Sequence, residues 1–176
     1  MKLAVFTLDE AAIRNLIQEQ KNKMENQTMN QGGDFLKNHS AHYLEMAYSN
    51  DRRERIEEPD GYGKRTGECG DTIETFIMVR NHEIKTVSFD TDGCLNTNAC
   101  ANTVSILAEG KTIEQGWKIT TKDVIDYLGT LPSEKIHCAE LAIGSFYLAL
   151  SDFQRLQRNP WKKKYKRSWE KKYKRY

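Results

Sequence analysis

Three cysteines and one aspartate are the residues of this chain whose types and spacing could do chemistry. The stretch TGECGD at 66–71 places the thiol of Cys69 two residues before the carboxylate of Asp71, and Cys94 and Cys138 follow in two later segments. The glycines that flank Cys69 let the backbone bend and approach an ion closely. Thiolates and a carboxylate are suitable ligands for a tetrahedral metal ion or an iron–sulfur cluster. The sequence therefore predicts a metal or cluster centre built from three separated segments.

A β-hairpin is predicted between the first two of these segments. Apolar and β-branched residues at 72–79 and 84–89 predict two strands, and Asn81 and His82 supply the turn between them. The Gly-Tyr-Gly sequence at 61–63 predicts a flexible loop that leads into the cysteine motif.

Helical spacing of apolar residues predicts most of the other elements. The predicted helices cover 8–25, 34–50, 96–109, 112–117, 121–128 and 133–158. Cys94 then precedes a helix N-terminus, where the helix dipole favours a thiolate, and Cys138 lies in the first turns of the last helix. Ser133 is the predicted N-cap of that last helix, and the charged run at 51–58 is interpreted as a solvated helix end.

Composition indicates a modest core with long polar ends. Hydrophobic residues make up 38% of the 176 residues, the mean hydropathy is −0.75, and no run approaches the ~18 apolar residues that span a bilayer. The first residues are interrupted by Asp9 and Glu10 too soon for a signal peptide. Four cysteines without an export signal point to a reducing, cytoplasmic location, where thiols are more often ligands or reactive groups than disulfides.

The C-terminal tail is strongly basic. Residues 161–176 contain nine Lys or Arg and one Glu, so the tail carries +8 and leaves about −6 on the rest of a chain of net charge +2. Interleaved Trp and Tyr would suit nucleic acid, an anionic membrane face or an acidic partner protein. A solvated extension without a partner is the alternative interpretation.

Four stretches together resemble the IscU/NifU N-terminal family of iron–sulfur cluster assembly scaffolds. They are GECGD at 67–71, FDTDGC at 89–94, AEGKTIEQ at 108–115 and LPSEKIHCAELA at 131–142. These motifs span about residues 40–155 in the order and nearly the spacing of the family. Several cysteine motifs at matching intervals are a far more specific signal than any one of them.

The resemblance implies a fold, a ligand set and partners. The implied fold is α+β, with a small antiparallel sheet of about three strands covered on one face by helices. The resemblance implies that Cys69, Asp71, Cys94 and Cys138 bind a [2Fe–2S] cluster or iron, or zinc in the isolated protein. Lys135 and His137 would lie beside these four ligands. Cys138 would accept persulfide sulfur from a cysteine desulfurase, and apo iron–sulfur proteins would receive the cluster. The chain would be a scaffold rather than an enzyme.

The implied domain organisation has three parts. Residues 1–33 form an N-terminal helical extension and linker, residues 34–158 the scaffold domain, and residues 159–176 the basic tail. Both ends lie outside the usual extent of the family.

Departures from the family pattern keep alternatives open. The segment LPSEK at 131–135 stands where the family usually has Leu-Pro-Pro-Val-Lys, which puts recognition by the Hsp70-type chaperone in doubt. Cys100 replaces a small polar residue and is expected to be a buried helix cysteine.

A zinc-bound, SufU-like sulfur acceptor would use the same four ligands, although no long insertion separates Cys94 from Cys138. A nucleic-acid-binding module that depends on the tail is a third alternative. His39, His42 and His82 are expected to be surface or packing residues.

Overall fold

The computed structural model describes residues 38–161. The predicted helix at 8–25, the linker after it and the basic tail beyond Trp161 lie outside these residues. The helices are α1 (Ala41–Tyr48), α2 (Leu95–Ala108), α3 (Ile113–Gly116), α4 (Thr121–Leu128) and α5 (Ile136–Arg158); the strands are β1 (Gly61–Thr66), β2 (Thr72–Arg80) and β3 (Glu83–Thr91). Within this part of the chain, no helix is long and apolar enough to cross a membrane.

The three strands form one antiparallel sheet in the order β1-β2-β3, which confirms the predicted fold class. The predicted turn between β2 and β3 is also confirmed, because Asn81 and His82 have φ values of 52° and 66°, as a tight hairpin requires. The register shifts once in this hairpin, between Met78 and Val79. The sheet connects its strands by short turns, so the β1–β2 turn and the end of β3 lie at the same end of it.

Strand β1 corrects the prediction of a flexible loop at 61–63. Gly61 and Gly63 pair with β2 and face α5, whose backbone lies against them. A Cβ atom added to Gly63 would lie 2.1 Å from the carbonyl oxygen of Ser145, and one added to Gly61 would lie 2.3 Å from that of Ala149. The glycines are therefore needed for close packing between strand and helix, which local sequence patterns do not reveal.

The core lies between the sheet and the helices α2 and α5. Every second residue of β2 faces the helices, so Ile73 and Ile77 are fully buried. Phe146 and Leu150, one turn apart on α5, are also fully buried. Each such side chain contributes about 1.5–3 kcal/mol relative to an exposed position.

The helices at 112–117 and 121–128 are confirmed as α3 and α4, with Thr112 and Thr120 as N-caps in capping boxes.

The charged run at 51–58 is not a helix end, which corrects the sequence interpretation. Arg53 forms a parallel β-bridge with Phe89, so the segment extends along the edge of β3. Arg55 then reaches across the outer face of the sheet and pairs with Glu74 at 2.8 Å and with Asp90 at 2.9 Å. Its guanidinium lies 5.7 Å from the ring centroid of Phe76, in cation–π range. Contacts with the sheet therefore decide the conformation of this segment.

The start of the last helix also differs from the prediction. Ser133 begins a 3-10 turn, Ser133–Lys135, and α5 begins only at Ile136 with Lys135 at the N-cap position. The Ser133 side chain bonds to Glu134 instead of capping a backbone N–H. The 3-10 turn therefore directly precedes the first turn of α5, which contains Cys138.

Replacement of Gly63 by Ala should destabilise the protein, because the added methyl group cannot fit between β1 and α5. We expect a loss of about 1–3 kcal/mol in the free energy of unfolding, measured by urea denaturation. Lys64→Ala is the matched control on the outer face; it removes only an exposed ion pair with Glu74, worth about 1 kcal/mol or less. Equal losses for the two variants would contradict the close-packing argument.

Candidate metal-binding site

The four predicted ligands come from three segments at one end of the sheet. Cys69 and Asp71 lie in the β1–β2 turn, Cys94 follows β3 and is the N-cap residue of α2, and Cys138 lies in the first turn of α5. The β1–β2 turn is closed by a bond from the Gly67 N–H to the Asp71 carbonyl at 2.9 Å. The antiparallel hairpin and the packing of α5 on β1 bring these segments together.

Asp71 is turned toward the N-terminus of α2. Its Oδ2 accepts hydrogen bonds from the Thr97 hydroxyl at 2.7 Å and from the Cys94 backbone N–H at 3.2 Å. The bond from Thr97 is the main cause that lowers the pKa of Asp71, and the bonds from Cys94 and the nearby His137 charge add to it against the effect of burial. Asp71 is therefore ionised at neutral pH and ready to act as an oxygen ligand.

Cys94 is exposed and stands at the start of α2, as predicted. Its Sγ lies 3.5 Å from the Thr97 hydroxyl oxygen and 3.8 Å from Asn96 Nδ2. Partial burial raises the pKa of this thiol, but hydrogen bonds from Thr97 and Asn96 outweigh burial and leave the pKa below its ordinary value. Cys94 is thus an accessible thiol with an increased tendency to ionise.

Cys138 has the opposite environment. Its side chain is fully buried, and burial raises its pKa to about 11. A hydrogen bond with Thr97 lowers this pKa, whereas Cys94 and the charge of Cys69 raise it. The thiol therefore carries its proton at neutral pH, and a bound cation would have to displace that proton.

The residues beside the ligands have distinct positions. His137 is half-buried in the first turn of α5, within electrostatic range of Asp71. Lys135, also half-buried, ends the 3-10 turn before it. Cys100 is fully buried in α2, as expected, and burial raises the pKa of its thiol well above the ordinary value.

The histidines outside the motif pack against aromatic rings or lie in a turn. His39 stacks on Tyr43 with ring centroids 4.1 Å apart, and His42 stacks on Tyr127 at 5.0 Å. These positions agree with the expectation that both are surface or packing residues. His82 lies in the β2–β3 turn and is exposed, also as expected.

The structure also reveals polar residues of α2 that sequence reasoning missed. Thr97 is fully buried and contacts both Asp71 and Cys94. Asn98 and Asn102, one turn apart, each donate two hydrogen bonds to the carbonyl end of α1. The Asn and Thr residues at 96–98 and 102–103, in a helix whose other residues are mostly apolar, are the signal that could have indicated a buried polar face.

The donor set suits a thiophilic metal, but it is not assembled into a closed site. Among residues 38–161, no three His, Cys, Asp or Glu side chains lie close enough together to hold a metal ion. Asp71 uses one oxygen for Thr97 and the Cys94 backbone, and Cys138 lies below the surface. Three thiols and a carboxylate nevertheless match iron, zinc and iron–sulfur chemistry. These side chains would have to move to surround one ion.

Comparison with protein families identifies this part of the chain. The family model of the NifU-like N terminal domain matches residues 47–160. The iron–sulfur cluster assembly scaffold protein IscU 1 of Archaeoglobus fulgidus is 37% identical over 102 residues, which cover 57% of this chain and 67% of that protein. The corresponding IscU protein of Aquifex aeolicus is 33% identical over 101 residues, covering 56% of this chain and 64% of that protein.

Solved structures support the fold. A protein described as a scaffold for iron–sulfur cluster assembly in the SUF system of Fervidobacterium islandicum AW-1 aligns with a TM-score of 0.55 at 15% identity, over 64% of this chain and 96% of that one. The N-terminal part of a NifU-like protein from Brucella abortus aligns with a TM-score of 0.53 at 14% identity, over 68% and 94%. At these identities the likeness concerns the fold alone.

Alkylation should separate the thiols by their accessibility. In the native, metal-free protein we expect iodoacetamide to modify Cys69 and Cys94 and to leave Cys100 and Cys138 unmodified, read out by peptide mass spectrometry. Because its pKa is lowered, Cys94 should retain its reactivity at a lower pH than an ordinary thiol. The control is the protein in urea, where all four should react. Rapid native modification of Cys138 would contradict its burial.

Proposed function

The chain belongs to the family of NifU-like N-terminal domains, and from this we propose that it is a scaffold for the assembly of an iron–sulfur cluster, a [2Fe–2S] cluster in the simplest case. The observation that carries the proposal is the convergence of Cys69, Asp71, Cys94 and Cys138 at one end of the sheet. The named function of the IscU relatives supports it. The cluster is cargo, which a cysteine desulfurase and an iron source build and which apo-proteins then receive.

The four ligands would have different tasks in this function. Cys69 and Cys94 are exposed thiols that incoming iron can reach, and Cys94 ionises readily. Asp71 adds one oxygen ligand to three sulfurs. Because iron–sulfur clusters prefer thiolates, an oxygen ligand should make the bound cluster easier to release. Such lability suits a protein that must transfer its cargo.

Sulfur transfer to Cys138 requires a change at the start of α5. The thiol must become exposed and lose its proton before it can act, since it is buried with a pKa of about 11. Its thiolate would attack the outer sulfur of the desulfurase persulfide, and the desulfurase cysteine would leave as a thiolate. An external reductant, such as a dithiol, would supply two electrons to reduce the transferred sulfur to sulfide and regenerate the Cys138 thiolate. Lys135 and His137, both half-buried, directly precede Cys138 at the start of α5.

A zinc-bound sulfur acceptor is the second candidate, because the same three thiols and carboxylate suit tetrahedral zinc. In that function the protein would stimulate a desulfurase without building clusters. A reducing, cytoplasmic location is part of both proposals, since all four cysteines are free thiols. The proposed role of the basic tail in partner binding concerns residues outside the described part of the chain.

Reconstitution without oxygen tests the scaffold proposal. With ferrous iron, cysteine, dithiothreitol and a cysteine desulfurase, the wild type should develop a visible chromophore that contains labile sulfide and can be transferred to an apo-ferredoxin. Cys138→Ser should lose the chromophore, because one of the four ligands is gone. Cys100→Ser is the matched control at a buried cysteine of α2, and it should keep the chromophore.

The outcomes of reconstitution distinguish the two candidates. Tightly bound zinc, faster desulfurase turnover and no chromophore would contradict the scaffold proposal and support the sulfur acceptor. Mass spectrometry of the persulfide formed with the desulfurase would show whether the sulfur is on Cys69, Cys94 or Cys138. A persulfide confined to Cys94 would contradict the role proposed for Cys138.

Replacement of Asp71 by Ala should slow the release of the cluster, because it removes the weakly held oxygen ligand that an incoming ligand would displace first. We expect the chromophore of Asp71→Ala to persist longer in air and to be transferred more slowly to apo-ferredoxin. Asp126→Ala is a control at an exposed carboxylate of α4, away from the β1–β2 turn, and its transfer rate should match the wild type. Unchanged transfer by Asp71→Ala would count against the lability argument.

A further inference from the structure

A single hydroxyl group stands among three of the four proposed ligands. The Thr97 Oγ1 lies 2.7 Å from Oδ2 of Asp71 and 3.5 Å from Sγ of Cys94, and the same hydroxyl lowers the pKa of the buried Cys138 thiol. Thr97 is fully buried, one turn into α2 from Cys94. Thr97 therefore lies where the β1–β2 turn, the start of α2 and the start of α5 come together.

The hydrogen-bonding capacity of a hydroxyl group fits this position. A hydroxyl has one proton to donate and two lone pairs to accept with. An ionised carboxylate only accepts, so the single proton of the Thr97 hydroxyl is donated to Oδ2 of Asp71 at 2.7 Å.

The neighbouring residues leave room for the hydrogen bond between Thr97 and Asp71. A Cβ atom added to Gly93 would lie 2.8 Å from Oδ2 of Asp71 and 2.6 Å from Cγ2 of Thr97, so only glycine leaves room for the two side chains to meet there. The β-branched side chain of Thr97 has few χ1 rotamers in a helix, which fixes the direction of its hydroxyl. The backbone N–H of Cys94 donates to the same carboxylate oxygen at 3.2 Å.

We propose that Thr97 is the positioning residue of the metal centre: its hydroxyl, with the Cys94 N–H, holds Oδ2 of Asp71 and presents Oδ1 to the metal. This proposal rests on the function proposed above, in which Asp71 is a ligand. Residues that hydrogen-bond to a ligating carboxylate orient it, and their loss typically lowers metal affinity 10- to 100-fold. Thr97 acts through Asp71 and does not itself bind the metal.

Cobalt binding to the full chain tests the proposal without cluster assembly. Co²⁺ is titrated into the protein without oxygen, and the thiolate-to-cobalt charge-transfer bands and the visible d–d bands report affinity and ligand type. For Thr97→Val, which is close in shape and lacks the hydroxyl, we expect affinity to fall about 10- to 100-fold. The d–d bands should shift toward those of Asp71→Ala, and Thr97→Ser should restore the wild-type spectrum.

Thr103 provides a matched control on the same helix. It is also fully buried, but its hydroxyl donates to the Ala99 carbonyl of its own helix at 2.8 Å. Thr103→Val therefore removes a buried threonine hydroxyl at no cost to Asp71. Its cobalt affinity should stay within about twofold of the wild type, as for independent sites. Circular dichroism before titration verifies that each variant is folded.

The double variant separates positioning from a general structural effect. In an Asp71→Ala background, Thr97→Val should change cobalt affinity no further, because the carboxylate through which Thr97 acts is gone. The proposal would be overturned if Thr97→Val lowered cobalt affinity equally in both backgrounds, or if Thr97→Val alone bound cobalt as the wild type does. Either result would leave the proposed metal centre itself unaffected. If the wild-type protein showed no thiolate-to-cobalt bands, the proposed centre itself would fail, and the role of Thr97 with it.

Discussion

The close approach of α5 to β1 is the constraint on which the geometry of the site depends. Gly61 and Gly63 bring the strand against the helix backbone, and at Gly144 the helix in turn leaves space for the side chain of Arg65. These contacts fix where α5 crosses the sheet. Because β1 leads directly into the turn with Cys69, the same contacts fix the distance between that turn and Cys138. A bulkier residue in this contact would separate two of the three segments that carry ligands.

The helices give the thiols unequal environments within one small region. Cys94, at the start of α2, is exposed and has a lowered pKa, whereas Cys138, in the first turn of α5, is buried and has a raised one. In the metal-free state one thiol is therefore available to a reagent while another is protected from it. Such a division would limit unwanted oxidation of a site that must hold free thiols. Binding of a metal by all four proposed ligands would therefore require the Cys138 thiol to lose its proton and become accessible.

The sequence predicted those elements whose periodicity is strong and whose ends have local signals. The β2–β3 hairpin, α3 and α4 belong to this class, since their turn residues and caps are encoded within a few positions. Strand β1 was missed because its Gly-Tyr-Gly sequence resembles a loop, and only the backbone of α5 explains why glycine stands in a strand. The run at 51–58 was misread because its arginines are held by carboxylates and a ring of the sheet, which are distant in sequence.

The site could be located from the sequence but its details could not. Cys69, Asp71, Cys94 and Cys138 were identified by residue type and spacing, and the structure places their segments at one end of the sheet; their roles as ligands remain predictions. Thr97 gave no signal, because one threonine among the small polar residues of α2 has no distinctive pattern. Its importance depends on the carboxylate it meets, which comes from a turn more than twenty residues earlier.

The side-chain amides of Asn98 and Asn102, which join α2 to α1, make the contact between these two helices sensitive to deamidation. Asn98 and Asn102 use both N–H donors of their side chains on carbonyl groups at the end of α1, while their Oδ1 atoms are buried without a partner among the described residues. Deamidation to aspartate would remove all four of these donors. It would also place a negative charge against the negative end of a helix dipole. The contact between the two helices therefore depends on both side chains remaining amides. Slow hydrolysis of these amides would weaken the packing of α1 on α2, the helix that begins after Cys94.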